Sequence, residues 1–374
     1  MIVSARLGVP ARTFGTFAGI VGRLSKGNKV SAKVRVGVNG YGVIGKRIAD
    51  AVRMQPDMEL IGVSDVVSDY RIKTAVTLGI PVYASLDDKS AAMSDAGIPV
   101  VGGMHQFLKG LDVVVDCTPA GIGASNLAHY REHGVKAIFQ GGEKHALTGH
   151  SFVAHANFAT AVGRDTTRVV SCNTTSTVRT LTALNDAGLL SKARGVLIRR
   201  ATDPWESDHS GIMNTVVPEG SIPSHQGPDA QSVVPELDVV TIAAKGSHTQ
   251  NHSHYWIVEL TRPSDREEVL DTMRAAPRVA LVRRSDGIVA LNSTIELMKD
   301  LGRPRGDMYE VALWEDILKV EGNELYYTYT VDNQAVVIPE NVDAIRALAG
   351  TVPSGADSIR LTDETLGIRG DFLA

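Results

Sequence analysis

Cys172 is the first residue in this sequence with the surroundings of a nucleophile. The stretch Val170-Ser171-Cys172-Asn173-Thr174-Thr175-Ser176 puts it where a short strand, Arg168 to Ser171, turns into a helix. Val178, Leu181 and Leu184 recur on one helical face, and Gly188 can close the helix in a left-handed cap. Small polar residues around the first turn supply capping oxygens. Free N–H groups and the positive end of the helix dipole favour a thiolate, so the thiol pKa is expected to fall. The same N–H groups can hold a developing oxyanion. The competing reading is a small buried hydrophobe, a common fate of free cysteine.

A thiolate nucleophile works with a base, and histidines cluster downstream. His248, His252 and His254 stand close together, with His209 and His225 ahead of them. His252 and His254 straddle one residue at the start of a strand, so both can face one side. A metal site is the alternative use of such a cluster. No carboxylate completes a ligand set and no H-E-x-x-H is present, so no metal is expected.

A second constellation lies far upstream. Val34, Val36 and Val38 alternate as in a strand, and Gly40-Tyr41-Gly42-Val43-Ile44-Gly45 follows at once, opening a helix through Ile48 and Val52. This is G-x-G-x-x-G between strand and helix. Gly40, Gly42 and Gly45 permit a tight turn and close approach of a pyrophosphate to the helix N-terminus. Leu60 to Ser64 reads as the next strand, and Asp65 at its end has the spacing of a ribose-binding acid. Together these predict a dinucleotide-binding site.

The elements around these sites follow. Asp69 to Leu78 reads as a helix, Pro81 to Ala84 and Pro99 to Val101 as strands, and Leu111 to Asp116 as a buried parallel strand. Ile122 to His133 is a helix, and Ala137 to Phe139 a strand before Gln140-Gly141-Gly142. After Cys172 the order changes. Strands are predicted at 193–200, 239–244, 255–260 and 325–331, and helices at 265–275, 294–301 and 341–348. A long loop, Ala201 to Ala230, lies among them, and loops of that length are usually functional. The fold class is α/β: a Rossmann-type parallel-sheet dinucleotide domain plus an α+β catalytic domain with a mixed or antiparallel sheet. Its predicted extents are 34–171, with a C-terminal helical segment 335–374 packing back on it, and 172–334.

Composition narrows the class of protein. The 374 residues carry mixed charge, net −4. No nucleic-acid footprint, membrane span or membrane-surface patch is visible. Two cysteines far apart, Cys117 and Cys172, argue against a disulfide framework and for a reducing cytoplasm. Residues 1–33 hold six basic and no acidic residues, as in an organellar transit segment. Gly15, Gly19 and Gly22 break its short apolar part, which favours a disordered extension or a start site placed too far upstream.

The motifs, in order, resemble those of the archaeal-type glyceraldehyde-3-phosphate dehydrogenases. They are Val38-Asn39-Gly40-Tyr41-Gly42 with Ile44-Gly45-Lys46-Arg47, Gly141-Gly142-Glu143-Lys144-His145, Ser171-Cys172-Asn173-Thr174-Thr175, and Arg199-Arg200-Ala201-Thr202-Asp203-Pro204-Trp205-Glu206. Pro223-Ser224-His225, Gly302-Arg303 and Pro339-Glu340-Asn341-Val342-Asp343-Ala344-Ile345-Arg346 continue the series, and the resemblance spans about Lys33 to Arg346. It implies phosphorylating oxidation of glyceraldehyde 3-phosphate. Cys172 would form a hemithioacetal and then a thioester, which inorganic phosphate would release. His252, in the family's first-histidine place, would be the general base. Val43 and Ile44 would lie along the cofactor turn and Gly142 beside it. Arg200 would touch the cofactor or a phosphate, and Asn333 would fix the nicotinamide carboxamide. Ser171 and Asn173 would contact substrate, and His225 and Gln226 its phosphate.

The chain departs from the family at Gln226, where a second histidine is usual, at Ser176-Thr177-Val178, and across Lys245 to Asn251. The implied cofactor is NAD, with NADP possible. The implied partners are the phosphorylated aldehyde and inorganic phosphate, and a homotetramer is expected. A thiol-dependent semialdehyde or acyl-phosphate dehydrogenase is the alternative within oxidoreductases. A non-catalytic dinucleotide-binding regulator is the alternative outside them.

Overall fold

The computed structural model describes residues 32–203 and 216–373. Almost all of the basic N-terminal extension, and the loop positions Pro204, Trp205, Glu206 and His209, lie outside the described residues. The chain opens with β1 (Val34–Asn39), α1 (Val43–Met54), β2 (Met58–Asp65), α2 (Tyr70–Thr77), β3 (Val82–Ala84), α3 (Asp87–Asp95) and α4 (Met104–Leu108). It continues through β4 (Val113–Asp116), α5 (Gly123–Glu132), β5 (Lys136–Phe139), β6 (Ser151–Phe152), α6 (Ala154–Ala161), β7 (Thr166–Val169) and α7 (Cys172–Asp186). The seven strands form one parallel sheet in the order β3-β2-β1-β4-β5-β7-β6. The order reverses beside β1, and the turn after β1 carries the glycines, which is the ligand crevice of such sheets.

The second half holds β8 (Leu190–Arg200), β9 (Val217–Pro218), α8 (Gln226–Gln231), β10 (Val239–Gly246), β11 (His252–Leu260), α9 (Arg266–Ala275), β12 (Val279–Val282) and α10 (Leu291–Asp300). Then come β13 (Val311–Trp314), β14 (Lys319–Glu321), β15 (Glu324–Val331), α11 (Ile338–Ala349) and α12 (Gly355–Leu366). Its strands make a mixed sheet, β12-β13-β15-β11-β8-β10-β9, with β14 paired to β15. Helices α7 and α9 cover one face. On the other face Ile242, Val196 and Tyr255 sit in one row across β10, β8 and β11, with Ile257 two residues along; all four are exposed.

One apolar core joins the halves. It runs from Val36 and Val38 through Val342 and Ile345 on α11 to Val178 and Leu181 on α7 and Trp256 on β11. Val178, Leu181 and Leu184 are fully buried, about 1.5–3 kcal/mol of transfer energy apiece. α7 is rich in threonine, a weak helix former, yet Thr177 and Thr180 return their hydroxyls to the carbonyls one turn back. Packing therefore overrides propensity in the helix that presents Cys172.

Several boundaries differ from the sequence reading. Pro99 to Val101 is no strand; Val100 makes one bridge to Val82. The strand before Cys172 ends at Val169, and Ser171 is instead the helix N-cap. β11 begins at His252, three residues earlier than alternation suggested, so both histidines belong to the strand itself. The loop 201–230 is interrupted by β9 and α8.

Candidate active site

Ser171 Oγ accepts the Thr174 N–H, which starts α7 and leaves Cys172 as its first residue. The turn is braced from outside. Asp229 on α8 accepts the Thr174 hydroxyl at 3.0 Å and also pairs with Arg168. Sequence reading missed this brace, although Asp229 follows His225 by only four residues.

The ladder brings the imidazole to the thiol. β11 pairs antiparallel with β8, setting His254 opposite Leu197 and His252 beyond Ile198. His252 Nε2 lies 3.2 Å from Cys172 Sγ. Its Nδ1 accepts the main-chain N–H of Arg200 at 3.0 Å. His254 does not touch the sulfur. Its Nε2 meets Asn173 Oδ1 at 2.8 Å and its Nδ1 meets the Tyr329 hydroxyl at 2.8 Å, and Asn173 Nδ2 points at Sγ from 3.8 Å. The two histidines thus have separate duties, one on the sulfur and one on the amide beside it. Among the described residues no group of three His, Cys, Asp or Glu side chains could hold a metal ion.

The expected fall of the thiol pKa is corrected by burial. Burial pushes the Cys172 thiol up; Arg200, Arg199 and the Asn173 N–H pull it back only in part. The sequence argument weighed the local dipole and could not see the desolvation. Both imidazoles are pushed the other way, principally by burial: His252 well below its ordinary value, with His254, Arg200 and Arg199 adding repulsion, and His254 to about 3. Both rings are neutral near pH 7.

The remaining predicted positions fall into three groups. Arg200 pairs with Asp203, which accepts from Asn333 Nδ2 at 3.2 Å, and Asn333 Oδ1 takes the Asn251 N–H at 2.8 Å. This chain ends beside the thiol through the Arg200 main chain. His225 is exposed and meets Glu219 at 3.3 Å, and Glu219 also pairs with Arg199. Gln226 is fully buried, and neither its amide oxygen nor its nitrogen has a partner among the described residues. Glu219 and Gln226 mark the same neighbourhood, one as an acid shared by the Arg199 guanidinium and the His225 ring, the other as a buried amide.

The dinucleotide turn fits its predicted ligand. Gly40 has φ +92°, and a Cβ there would stand 2.8 Å from the Cys117 carbonyl carbon. A Cβ on Gly45 would run into the Gly40 carbonyl oxygen. At Gly42 a Cβ would meet nothing within 4 Å, and no side chain caps α1, so the helix N-terminus is open beside Gly42, while Val43 and Ile44 are half-buried and Ile44 packs on the core. Asp65 accepts the Tyr41 N–H at 2.6 Å and the Val66 N–H at 2.7 Å. Those bonds pin it against the glycine turn and leave further lone pairs on the carboxylate. A Cβ on Gly142 would come 3.2 Å from Ala120 Cβ.

A parallel dinucleotide-type sheet joined to a mixed sheet that sets an imidazole on a helix-capping thiol defines the class of thiol-dependent, dinucleotide-linked dehydrogenases. Residues 171–316 match the family described as the glyceraldehyde 3-phosphate dehydrogenase C-terminal domain, and residues 34–174 match the dihydrodipicolinate reductase N-terminus. The chain is 44% identical over 336 residues to the glyceraldehyde-3-phosphate dehydrogenases of Thermococcus kodakarensis and Pyrococcus furiosus, covering 90% of this chain and 99% of each relative. It is 42% identical over 335 residues to that of Methanobrevibacter smithii, covering 89% and 99%. The chain belongs to the glyceraldehyde-3-phosphate dehydrogenase family.

Proposed function

We propose that this protein oxidises glyceraldehyde 3-phosphate to 1,3-bisphosphoglycerate with inorganic phosphate, in the cytoplasm, through a covalent Cys172 intermediate. The observation that carries this reading is the 3.2 Å approach of His252 Nε2 to Cys172 Sγ at a helix N-terminus, in a chain similar along its length to enzymes of that name. A bound nicotinamide dinucleotide supplies the hydride acceptor. Gly40, Gly42, Val43, Ile44 and Gly45 hold its pyrophosphate with Gly142 flanking that turn, Asp65 its ribose and Asn333 its nicotinamide carboxamide, and Arg200 touches the cofactor or a phosphate. The dinucleotide part comprises 34–171 with 335–374, and the catalytic part 172–334.

Cys172 attacks the aldehyde carbon. His252 is the general base that draws the proton from the hemithioacetal hydroxyl as hydride leaves. Ser171 and Asn173 border the reacting carbon, and His225 with the unpartnered Gln226 amide receives the substrate phosphate. Arg199 and His225 favour a phosphorylated aldehyde over a plain semialdehyde. Assay of several aldehydes with both cofactors, with phosphate, with arsenate and with neither, tests the reading. Turnover independent of phosphate and arsenate would show that phosphate is not the acyl acceptor, and faster turnover of an unphosphorylated semialdehyde would assign the chain to another aldehyde.

NAD is the proposed cofactor. A 2′-phosphate would set roughly two negative charges against Asp65, both partly desolvated. Arg71, the nearest cation in sequence, gives its guanidinium to Asp69 at 2.6 Å. kcat/KM is expected to favour NAD by about 10- to 100-fold, the size of one unfavourable charge contact near solvent. Equal values, or a preference for NADP, would show that Asp65 does not read the ribose.

A homotetramer is proposed to cover the exposed row Ile242–Val196–Tyr255 with Ile257, because apolar sheet faces of this kind are closed by a symmetry mate. Tyr255→Glu with Ile257→Glu is expected to lower the sedimentation mass of the native assembly. An unchanged mass would place the contacts elsewhere.

A further inference from the structure

We infer that Asp229 is a positioning residue: its carboxylate ties α8, where the substrate phosphate is received, to the capped first turn of α7, where the thiol stands. This rests on the proposed chemistry and adds a residue outside the groups assigned to substrate and cofactor.

One carboxylate meets two neighbours at once. Asp229 Oδ2 accepts the Thr174 hydroxyl at 3.0 Å, and Oδ1 pairs with the Arg168 guanidinium. A carboxylate only accepts, so the Thr174 hydroxyl hydrogen is committed to Asp229. The Ser171 and Thr174 hydroxyl oxygens lie 2.9 Å apart, and the hydrogen between them then comes from Ser171. Ser171 Oγ keeps its lone pairs, one of which takes the Thr174 N–H at 3.4 Å. The direction of each bond in the cap therefore follows from the charge on Asp229. That cap starts α7 at Cys172.

The other side of Asp229 is held as firmly. Its N–H donates to the His225 carbonyl at 3.0 Å and closes the first turn of α8. α8 is in turn pinned to β10. The Gly227 N–H donates to Thr241 Oγ1 at 3.0 Å, and the Ser224 hydroxyl donates to the same oxygen at 2.8 Å. A Cβ on Gly227 would stand 3.2 Å from that oxygen, so the approach is close. Arg168 is buried. Its Nε and Nη2 donate to Ser151 Oγ at 3.2 and 2.7 Å, and its Nη1 donates to the Glu143 carbonyl at 2.8 Å. Among the described residues Asp229 is the one carboxylate paired with Arg168. Gly141, two residues before Glu143, lies so near Ser171 that a Cβ there would strike its main-chain nitrogen. A displacement of α8 therefore pulls on Thr174 through a carboxylate that has no slack.

Binding energy from a remote part of a substrate raises the rate only if the reacting end is held in register with it. His225 and Gln226 stand at the start of α8 and Cys172 at the start of α7. Asp229 joins the two through side-chain bonds. With the link intact, a phosphate seated at α8 presents the aldehyde carbon to a thiol of fixed position. Without it the phosphate still binds, but the carbon meets a turn that has lost its register.

The first measurement needs no substrate, so it reads even if the substrate assignment fails. Alkylation of Cys172 by iodoacetamide is followed against pH, by mass spectrometry of the full-length native assembly, for the wild type, Asp229→Asn, Thr174→Val and the double variant. Thr174→Val leaves the Arg168–Asp229 pair in place and so guards against a folding loss in Asp229→Asn. The groups that face the thiol, His252 on β11, Arg199 and Arg200 on β8 and Asp332 after β15, are the same in all four proteins. A loosened cap withdraws N–H support from the thiolate. Both single variants should therefore move the alkylation midpoint upward and slow the reaction below it by about 2- to 30-fold, the size of a lost N-cap. The double variant should go no further than the larger single shift, because both changes cut one path. A lower midpoint in Asp229→Asn would mean that the carboxylate acts only as a nearby negative charge. That result, no shift in either single variant, or a double shift equal to the sum of the two overturns the inference.

The second measurement compares glyceraldehyde with glyceraldehyde 3-phosphate. In Asp229→Asn, kcat for glyceraldehyde should fall by the factor seen in alkylation at that pH. For the phosphorylated aldehyde it should fall by about tenfold more, since a misplacement of about 1 Å costs up to about 10²-fold. A merely structural role would lower both alike, and equal falls also overturn the inference. A wild type that does not prefer the phosphorylated aldehyde overturns the substrate reading instead, and alkylation then decides the part played by Asp229.

Discussion

Cys172→Ser is expected to lower turnover by about 10⁴-fold or more, roughly 5.5 kcal/mol of added barrier at 1.36 kcal/mol per decade. A hydroxyl ionises far less readily than a thiol. His252 could activate it only by accepting its proton, and Nε2 faces the sulfur while Nδ1 is already filled by the Arg200 N–H. The dinucleotide turn lies on the other sheet, so cofactor binding should persist when followed by fluorescence titration. Loss of turnover with cofactor binding intact is the expected pair of results. Activity near that of the wild type would remove Cys172 from the reaction.

The same surroundings set a pH signature. Burial raises the thiol, so the thiolate fraction grows with pH through and beyond the ordinary thiol range. Single-turnover hydride transfer should therefore climb as pH rises. His252 and His254 stay neutral through that range, so no step belonging to either ring should cut the profile near pH 6.5. The rate of Cys172 alkylation should follow the same curve without any substrate present.

How much of this was legible depended on how far apart the determinants lie. The glycine turn, Asp65 and the capped cysteine are local patterns, each written within about 30 residues, and their placement followed from spacing. The division of labour between His252 and His254 was not legible. Their partners are the Arg200 main chain, Asn173 and Tyr329, between 52 and 81 residues away in sequence. The direction of the thiol pKa failed for a related reason. A dipole is a property of one helix, whereas desolvation belongs to the whole packed site. Helix α3 escaped notice because Met93 is its one buried residue, which leaves no apolar period to read. α6 escaped because Asn157 breaks its helical geometry.

The largest effect expected away from the site is on stability, at Glu340. This carboxylate is buried in the first turn of α11 and accepts Arg179 Nε and Nη2 at 3.1 and 2.6 Å, Arg278 Nη1 at 3.0 Å, and the Ala154 N–H at 2.6 Å. Arg179 belongs to α7, seven residues from Cys172, so the group ties the catalytic helix to α6 and α11. Glu340→Gln keeps the shape and removes the charge, leaving the buried Arg179 guanidinium without its ion-pair partner, while Arg278 keeps Asp343 and Asp363. Breaking one member of such a cluster costs about 3–5 kcal/mol, a large share of an ordinary folding free energy of about 5–15 kcal/mol. The loss should be measured by urea unfolding at fixed protein concentration, because assembly would otherwise contribute. Its pH dependence has a definite sign. Burial alone would raise the Glu340 carboxyl, but Arg278 and Arg179 overrule it and bring the pKa down to about 2 from an ordinary 4.5. A depressed carboxyl stabilises the fold fully above its unfolded value and ceases to do so as pH falls through its folded value. The stability gap between wild type and Glu340→Gln should therefore be constant above about pH 5 and narrow from 4.5 down toward 2. A variant within about 0.5 kcal/mol of wild type at neutral pH would mean that the desolvation of the three charges cancels their attraction, and that packing alone holds α7 in place.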